Sequence, residues 1–323
     1  MMRPIALTMG DPAGIGGELT LAAWAALRTE TVFYLIGDPD WMRHLGGVVR
    51  EIASPSEATS CMSDALPVLP ERLEVPVTLA RPAPENAAPV VRSIERAVAQ
   101  ALSGEAAAVC TNPINKKALQ DGANFAFPGH TEFLAHLCDS PRPVMMLAGP
   151  DLRVVPVTIH IPLSQVPAAL TPELLEETLR VTHAGLRRDF GLASPHIAVS
   201  GLNPHAGEGG AMGFEDIDCI TPVLRKLAAE GMRISGPYPA DTMFHPRARA
   251  TYDAAVCMYH DQALIPTKTL NFDSGVNVTL GLPIVRTSPD HGTAYDIAGR
   301  GVARPDSLIA ALRLARDMAG ARA

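Results

Sequence analysis

Apolar residues fall along this chain in short runs divided by glycine- and proline-rich turns, with spacings that alternate between those of strands and helices. Ile5-Ala6-Leu7-Thr8-Met9 reads as a strand running into the turn-rich loop Gly10-Asp11-Pro12-Ala13-Gly14-Ile15-Gly16-Gly17. A helix over 18–27 and a strand over 31–36 follow, a βαβ opening that implies a parallel sheet. Residues 46–88 lack clear periodicity and read as irregular connection with short strands. From 89 to 103, Val90, Val91, Ile94, Ala97, Val98, Ala101 and Leu102 trace one face of a helix. A strand over 106–110 then delivers Thr111-Asn112-Pro113-Ile114-Asn115-Lys116-Lys117 to a loop.

Further helices are predicted from a Thr131 cap through 137, over 172–189, over 215–230 and over 306–318. The last places Leu308, Ala311, Leu312 and Ala315 on one face. Strands are predicted over 144–147, 152–158, 196–200 and 253–258, with loops at 201–210 and 235–242. No internal repeat, low-complexity tract or interdomain linker interrupts the pattern.

At 323 residues the chain is long enough for two α/β domains around one cleft. An apolar fraction of 47% with 19% charged residues is that of a soluble globular enzyme. A net charge of −7, with no basic run longer than a pair, argues against nucleic acid as a partner. Any anionic ligand must then be held by a few local cations. Cys61, Cys110, Cys138, Cys219 and Cys257 are odd in number, spread out and free of C-x-x-C pairs, which points to reduced thiols. No apolar run approaches a membrane span, and the first residues turn polar at Thr8 and Asp11, so a cytoplasmic protein is expected.

The glycines at 14–17 suggest a dinucleotide fingerprint, but Leu19 stands where its third glycine belongs, so a tight strand-to-helix loop is favoured over a Rossmann site. The chemistry concentrates instead between 252 and 301. His160, His205 and His260 each follow a predicted strand, and three imidazoles at strand ends can converge on one divalent cation. A cation there would ease loss of hydride from a substrate alcohol, and then of carbon dioxide. Asp241 and Asp261 can orient the imidazoles or accept the alcohol proton, or simply cap their loops. His130, Thr131, Lys268, Asn277 and Arg286 form a candidate clamp for phosphate or carboxylate, each with a surface role as its alternative. Lys116 and Lys117 can hold an anion or start a surface helix.

Six ordered motifs carry a resemblance that runs nearly end to end. They are Gly10-Asp11-Pro12-Ala13-Gly14-Ile15-Gly16, Pro128-Gly129-His130-Thr131-Glu132, Thr158-Ile159-His160-Ile161-Pro162-Leu163, Asn203-Pro204-His205-Ala206-Gly207-Glu208, Tyr259-His260-Asp261-Gln262 and Asp290-His291-Gly292-Thr293-Ala294. In these the chain resembles the 4-hydroxythreonine-4-phosphate dehydrogenase family of pyridoxal phosphate biosynthesis and its paralogues.

The resemblance implies a two-domain α/β/α fold like the isocitrate and isopropylmalate dehydrogenases, which binds NAD or NADP without a Rossmann fingerprint. It implies a first domain of 1–125 plus 270–323, carrying the cofactor loop, and a second of 126–269, carrying the metal ligands and dimer interface. His160, His205 and His260 would be ligands to one zinc, magnesium or cobalt ion, contributed by both subunits of a homodimer with shared active sites. His130, Thr131, Lys268, Asn277 and Arg286 fall on substrate-binding positions, and Asp241 and Asp261 would be catalytic. His291, Gly292, Thr293 and Asp296 lie in the cofactor-binding loop.

The implied reaction oxidises the C3 hydroxyl of 4-phosphohydroxy-L-threonine and, with decarboxylation, yields 3-amino-2-oxopropyl phosphate. Ala263 and Pro289 depart from the family pattern without touching a proposed ligand. Residues 111–117 look more like paralogues acting on 4-phospho-threonate or -erythronate, and dihydrodiol dehydrogenases are also similar. A metal hydrolase or lyase using the same histidines is the alternative from another class.

Overall fold

The computed structural model describes residues 3–323. Strands run at Ile5–Thr8 (β1), Phe33–Gly37 (β2), Val49–Glu51 (β3), Leu66–Pro70 (β4), Ala108–Thr111 (β5) and Val144–Ala148 (β6). They continue at Arg153–Thr158 (β7), Ile197–Ser200 (β8), Ile234–Tyr238 (β9), Ala254–Tyr259 (β10), Val276–Leu280 (β11) and Arg286–Pro289 (β12). The described chain divides into two units, one of 3–141 with 282–321, the other of 142–281. Both are α/β, as the alternating pattern predicts.

Unit one holds the order β3-β4-β2-β1-β5-β12, every neighbouring pair parallel. Its central strands β1, β2 and β5 are buried throughout, as a sheet covered on both faces requires. The helix Ala87–Ser103 buries Val90, Ile94, Ala97 and Val98 and packs on β1, β2 and β5. The helix Asp306–Ala321 buries Leu308, Ala311, Leu312 and Ala315 and packs on β12 and β5. Each of these stripes repeats every three to four residues, the spacing that keeps one helix face on the sheet.

Unit two holds β11-β6-β7-β10-β8-β9, antiparallel from β11 through β7 and parallel from β7 to β9. The helix Pro172–Asp189 starts at Thr171, whose side chain accepts from the Leu174 amide at 3.2 Å, with Pro172 at the first helical position. A buried cluster including Leu147, Val154, Ala198, Ala255, Cys257 and Leu264 joins β6, β7, β8 and β10 to the helix His260–Asn271.

The structure departs from the sequence reading in places. Residues 235–242 read as loop, yet Ile234–Tyr238 forms β9, an edge strand, where a proline is tolerated because it has no ladder bond to lose on the outer side. The helix His260–Asn271 was masked by Pro266 in its interior and by polar residues in its first turn. Gly129, not Thr131, is the N-cap of the helix His130–Leu137, so His130 is its first residue. The units divide at 141/142 and 281/282. The helix His130–Leu137 stays with unit one because it packs on Ala87–Ser103, while β11 stays with unit two through its ladder to β6. All five cysteines are free thiols. Among the described residues no helix is long and apolar enough to cross a membrane.

Candidate active site

In unit two, β7, β10, β8 and β9 run parallel, so the segments leaving them emerge along one edge, where α/β sheets collect ligands. His160 follows β7, His260 follows β10, His205 lies beyond β8 and Asp241 beyond β9. The His160 and His260 rings face each other with centroids 5.8 Å apart and planes at 43°. They line a cavity of about 230 Å³ with Thr158, Tyr259 and Asp261. His260 Nδ1 bonds Asp261 Oδ1 at 2.7 Å. A carboxylate only accepts, so the bond puts a proton on Nδ1, and in the neutral ring this leaves Nε2 as the lone-pair nitrogen, the form a metal ligand needs.

His205 sits in an unusual turn. Residues 205–209 all have positive φ, including the non-glycines His205 (53°), Ala206 (52°) and Glu208 (43°). Each non-glycine residue held there costs about 1–2 kcal/mol, so the turn must be held from outside. Asp216, only 1% exposed, does this by accepting from the Leu202 amide at 3.0 Å and the Asn203 amide at 3.3 Å. Gln262 ties the exits of β8 and β10 together. Its Oε1 accepts from Ser200 Oγ and the Met258 amide, both at 2.7 Å, and its Nε2 donates to the Gly201 carbonyl at 2.8 Å.

His160 likewise has a left-handed backbone, φ 53°. Among the described residues no three His, Cys, Asp or Glu side chains form a group able to hold an ion. One chain therefore brings His160 and His260 together without completing a trio with His205. Asp241 is exposed on the short turn Ala240–Thr242. Lys268 and Asn277 belong to unit two, and Asn277 Oδ1 is buried without a hydrogen-bond partner.

Unit one carries the rest of the predicted residues. Arg286, 3% exposed at the start of β12, donates from Nη2 to Thr111 Oγ1 at 2.7 Å. Burial lowers its pKa to about 10, which still leaves it charged at neutral pH. His130 lies within electrostatic reach of Arg286 and Lys116; burial first, then these two cations, hold its imidazole well below the usual range and hence neutral. His130 Nε2 is buried without a partner. Two cations, a neutral imidazole and a helix start on one unit suit an anion. Thr111 ends β5 and Lys116 begins the following helix, so both lie beside Arg286 or His130 on unit one.

The segment 291–296 lies on the glycine-rich loop after β1. Ile15 donates its amide to the Thr293 carbonyl at 3.0 Å. A Cβ on Gly14 would sit 2.8 Å from that oxygen, so this position admits only glycine without displacing the loop. Gly10 has φ +67°, and a Cβ there would meet Asn112 Cβ and the Pro113 carbonyl at 2.6 Å. Tyr295 Oη donates to Asp11 Oδ2 at 2.7 Å and accepts from Asn115 Nδ2 at 2.8 Å. The space beside Gly292 is open, and His291 Nε2 is buried without a partner, features that fit a bound ligand at this loop. Sequence reasoning gave no role to Tyr295, Gln262 or Asp216: Tyr295 bonds Asp11 and Asn115, Gln262 reaches back to Ser200 and Gly201, and Asp216 holds the amides of a preceding turn.

Known proteins with this geometry are recognisable along the whole chain. A relative from Ruegeria sp. (strain TM1040), a 4-hydroxythreonine-4-phosphate dehydrogenase, is 58% identical over 320 residues, covering 98% of this chain and 97% of its own. The crystal structure of 4-hydroxythreonine-4-phosphate dehydrogenase from Klebsiella pneumoniae superposes with a TM-score of 0.92 at 40% identity, covering 99% and 98% of the two chains. A terephthalate 1,2-cis-dihydrodiol dehydrogenase from Burkholderia xenovorans LB400 is more distant, with a TM-score of 0.68 at 30% identity and 98% of both chains covered. The family model for pyridoxal phosphate biosynthetic protein PdxA matches residues 29–315, and the chain belongs to that family.

Proposed function

We propose that this protein acts as a 4-hydroxythreonine-4-phosphate dehydrogenase. It would oxidise the secondary hydroxyl of 4-phosphohydroxy-L-threonine with NAD or NADP and, with decarboxylation, release 3-amino-2-oxopropyl phosphate. The observation that carries the reading is the His160–His260 pair, with His260 fixed by Asp261, in a chain whose relatives are named for this reaction.

One divalent ion, zinc, magnesium or cobalt, is proposed to be held by His160, His205 and His260, the trio being completed between two subunits because one chain pairs only His160 with His260. When bound, the ion would acidify the substrate alcohol and the nicotinamide would take up hydride. The remaining work belongs to the chain. Asp261 holds the His260 tautomer, and Asp241 is proposed to take the alcohol proton. His130, Thr131 and Arg286 are proposed to bind the substrate's anionic end, where Arg286 supplies charge without needing a proton from solvent. Lys268 and Asn277 are proposed to complete substrate binding. The nucleotide is assigned to His291, Gly292, Thr293 and Asp296.

We further propose a cytoplasmic homodimer in which both subunits contribute the histidines. Of the large apolar side chains exposed among the described residues, only Val48, Leu102 and Val302 belong to unit one. The others, Leu163, Phe214, Ile265 and Phe272 among them, all lie on unit two, which supports association through that unit.

The test is nucleotide reduction, followed by absorbance of the reduced nicotinamide, across 4-phosphohydroxy-L-threonine, 4-phospho-threonate, 4-phospho-erythronate and a dihydrodiol, each with added metal. Turnover is expected to be fastest on the first, with 3-amino-2-oxopropyl phosphate as product. Reduction only with one of the others would overturn the substrate, and none with any would overturn the dehydrogenase. Sedimentation of the same samples should give a dimer mass; a monomer would remove the shared site.

A further inference from the structure

The loop at 10–17 and the segment 111–117 are singled out by sequence, yet the reaction above leaves Asp11 and Asn115 without a task. Both converge on Tyr295, whose hydroxyl is the middle of a three-residue chain. Asn115 Oδ1 accepts from the Ala118 amide at 2.9 Å as the cap of the helix Lys116–Ala123, which leaves its amide nitrogen to donate to Tyr295 Oη at 2.8 Å. Tyr295 then donates to Asp11 Oδ2 at 2.7 Å. The other Asp11 oxygen is occupied by the Ala13 amide at 2.8 Å, and the Asp11 amide is itself anchored on the Pro113 carbonyl at 2.8 Å. Asp11 is 6% exposed, so the bond from Tyr295 is made where water competes little and each donor lost is felt. Underneath, the Thr293 carbonyl takes the Ile15 amide, and Gly14 leaves no room for a side chain.

We propose that Asp11, Asn115 and Tyr295 form a latch that holds residues 291–296 in the shape that receives the nicotinamide nucleotide, with Tyr295 as a positioning residue. This rests on the reading of that loop as the nucleotide site. The latch is built entirely from unit one and anchors the loop at two levels, a side-chain chain above Asp11 and a backbone bond at Ile15. Its loss should therefore loosen nucleotide binding without changing how the phosphorylated acid is held. A residue with a merely structural role would lower both affinities together, or neither.

The experiment compares the wild type with Tyr295→Phe, which keeps the ring and deletes the hydroxyl, and with Gly14→Ala, which disturbs the loop from below and spares the latch. Direct titration with NADH and NADPH should show binding weakened by about tenfold or more in Tyr295→Phe, which deletes both the bond to the Asp11 carboxylate and the bond from Asn115. KM for the oxidised nucleotide should rise in step, while kcat at saturation and KM for the phosphorylated acid stay within about twofold. In the nucleotide-free protein, amide exchange across 291–296 should quicken in Tyr295→Phe, with the strands of unit one unchanged. Gly14→Ala should show the same split. Unaltered nucleotide binding in Tyr295→Phe, or equal rises in both KM values with a lowered unfolding midpoint, would overturn the latch. A wild type that binds neither nucleotide would instead sink the cofactor-loop reading, and the latch with it.

Discussion

Arg286 shows at the level of one residue how burial and charge combine here. A guanidinium 3% exposed keeps its charge although desolvation lowers its pKa to about 10, and it stands beside a histidine that the same burial keeps neutral. A buried cation that meets an anionic substrate forms strong, directional bonds. Arg286→Ala is therefore expected to raise KM for the phosphorylated acid by about tenfold or more, as loss of about 1.5–3 kcal/mol of charge-assisted bonding implies, with a smaller change in kcat. Initial rates across substrate concentrations check this, and an unchanged KM would remove Arg286 from the clamp. Arg286 and His130 were singled out by sequence as clamp candidates, and both fall on unit one, Arg286 at the start of β12 and His130 at the start of its helix. Tyr295 was not, because its partners Asp11 and Asn115 lie 284 and 180 residues away and no local pattern encodes them.

The elements that sequence read well are those whose apolar stripe alone decides their place. The helices Ala87–Ser103 and Asp306–Ala321 and the strands β1, β5 and β10 are of this kind. Backbone geometry rules the rest: β9 with its Gly236-Pro237 step was read as loop, and the loop read at 201–210 takes a left-handed turn at 205–209. Glycines at 207 and 209 hint at that turn, but His205, Ala206 and Glu208 have no intrinsic preference for it. Asp216 supplies what the local sequence lacks. Asp216→Ala strips the acceptor from two part-buried amides and should destabilise the protein by about 2 kcal/mol or more. Urea unfolding reads this directly, and an unchanged midpoint would show that the turn stands without its carboxylate.

For the molecule as a whole, an α/β architecture followed from the alternation of strand and helix. The chain passes from unit one to unit two at 141/142 and back at 281/282 without a linker of distinctive composition. Packing holds the His130 helix on unit one: the Phe125, Phe127 and Phe133 rings meet edge-to-face or tilted, with centroids 5.0–5.4 Å apart. The division leaves all three candidate metal ligands on unit two, and Arg286 with the 291–296 loop on unit one. The central claim is that the histidines of unit two hold a divalent cation on which oxidation of the phosphorylated alcohol depends. Metal content and nucleotide reduction, measured on one preparation of His260→Ala beside the wild type, test it most directly. The account predicts that bound metal and turnover are lost together. A variant that keeps its metal and reduces nucleotide at the wild-type rate would contradict it.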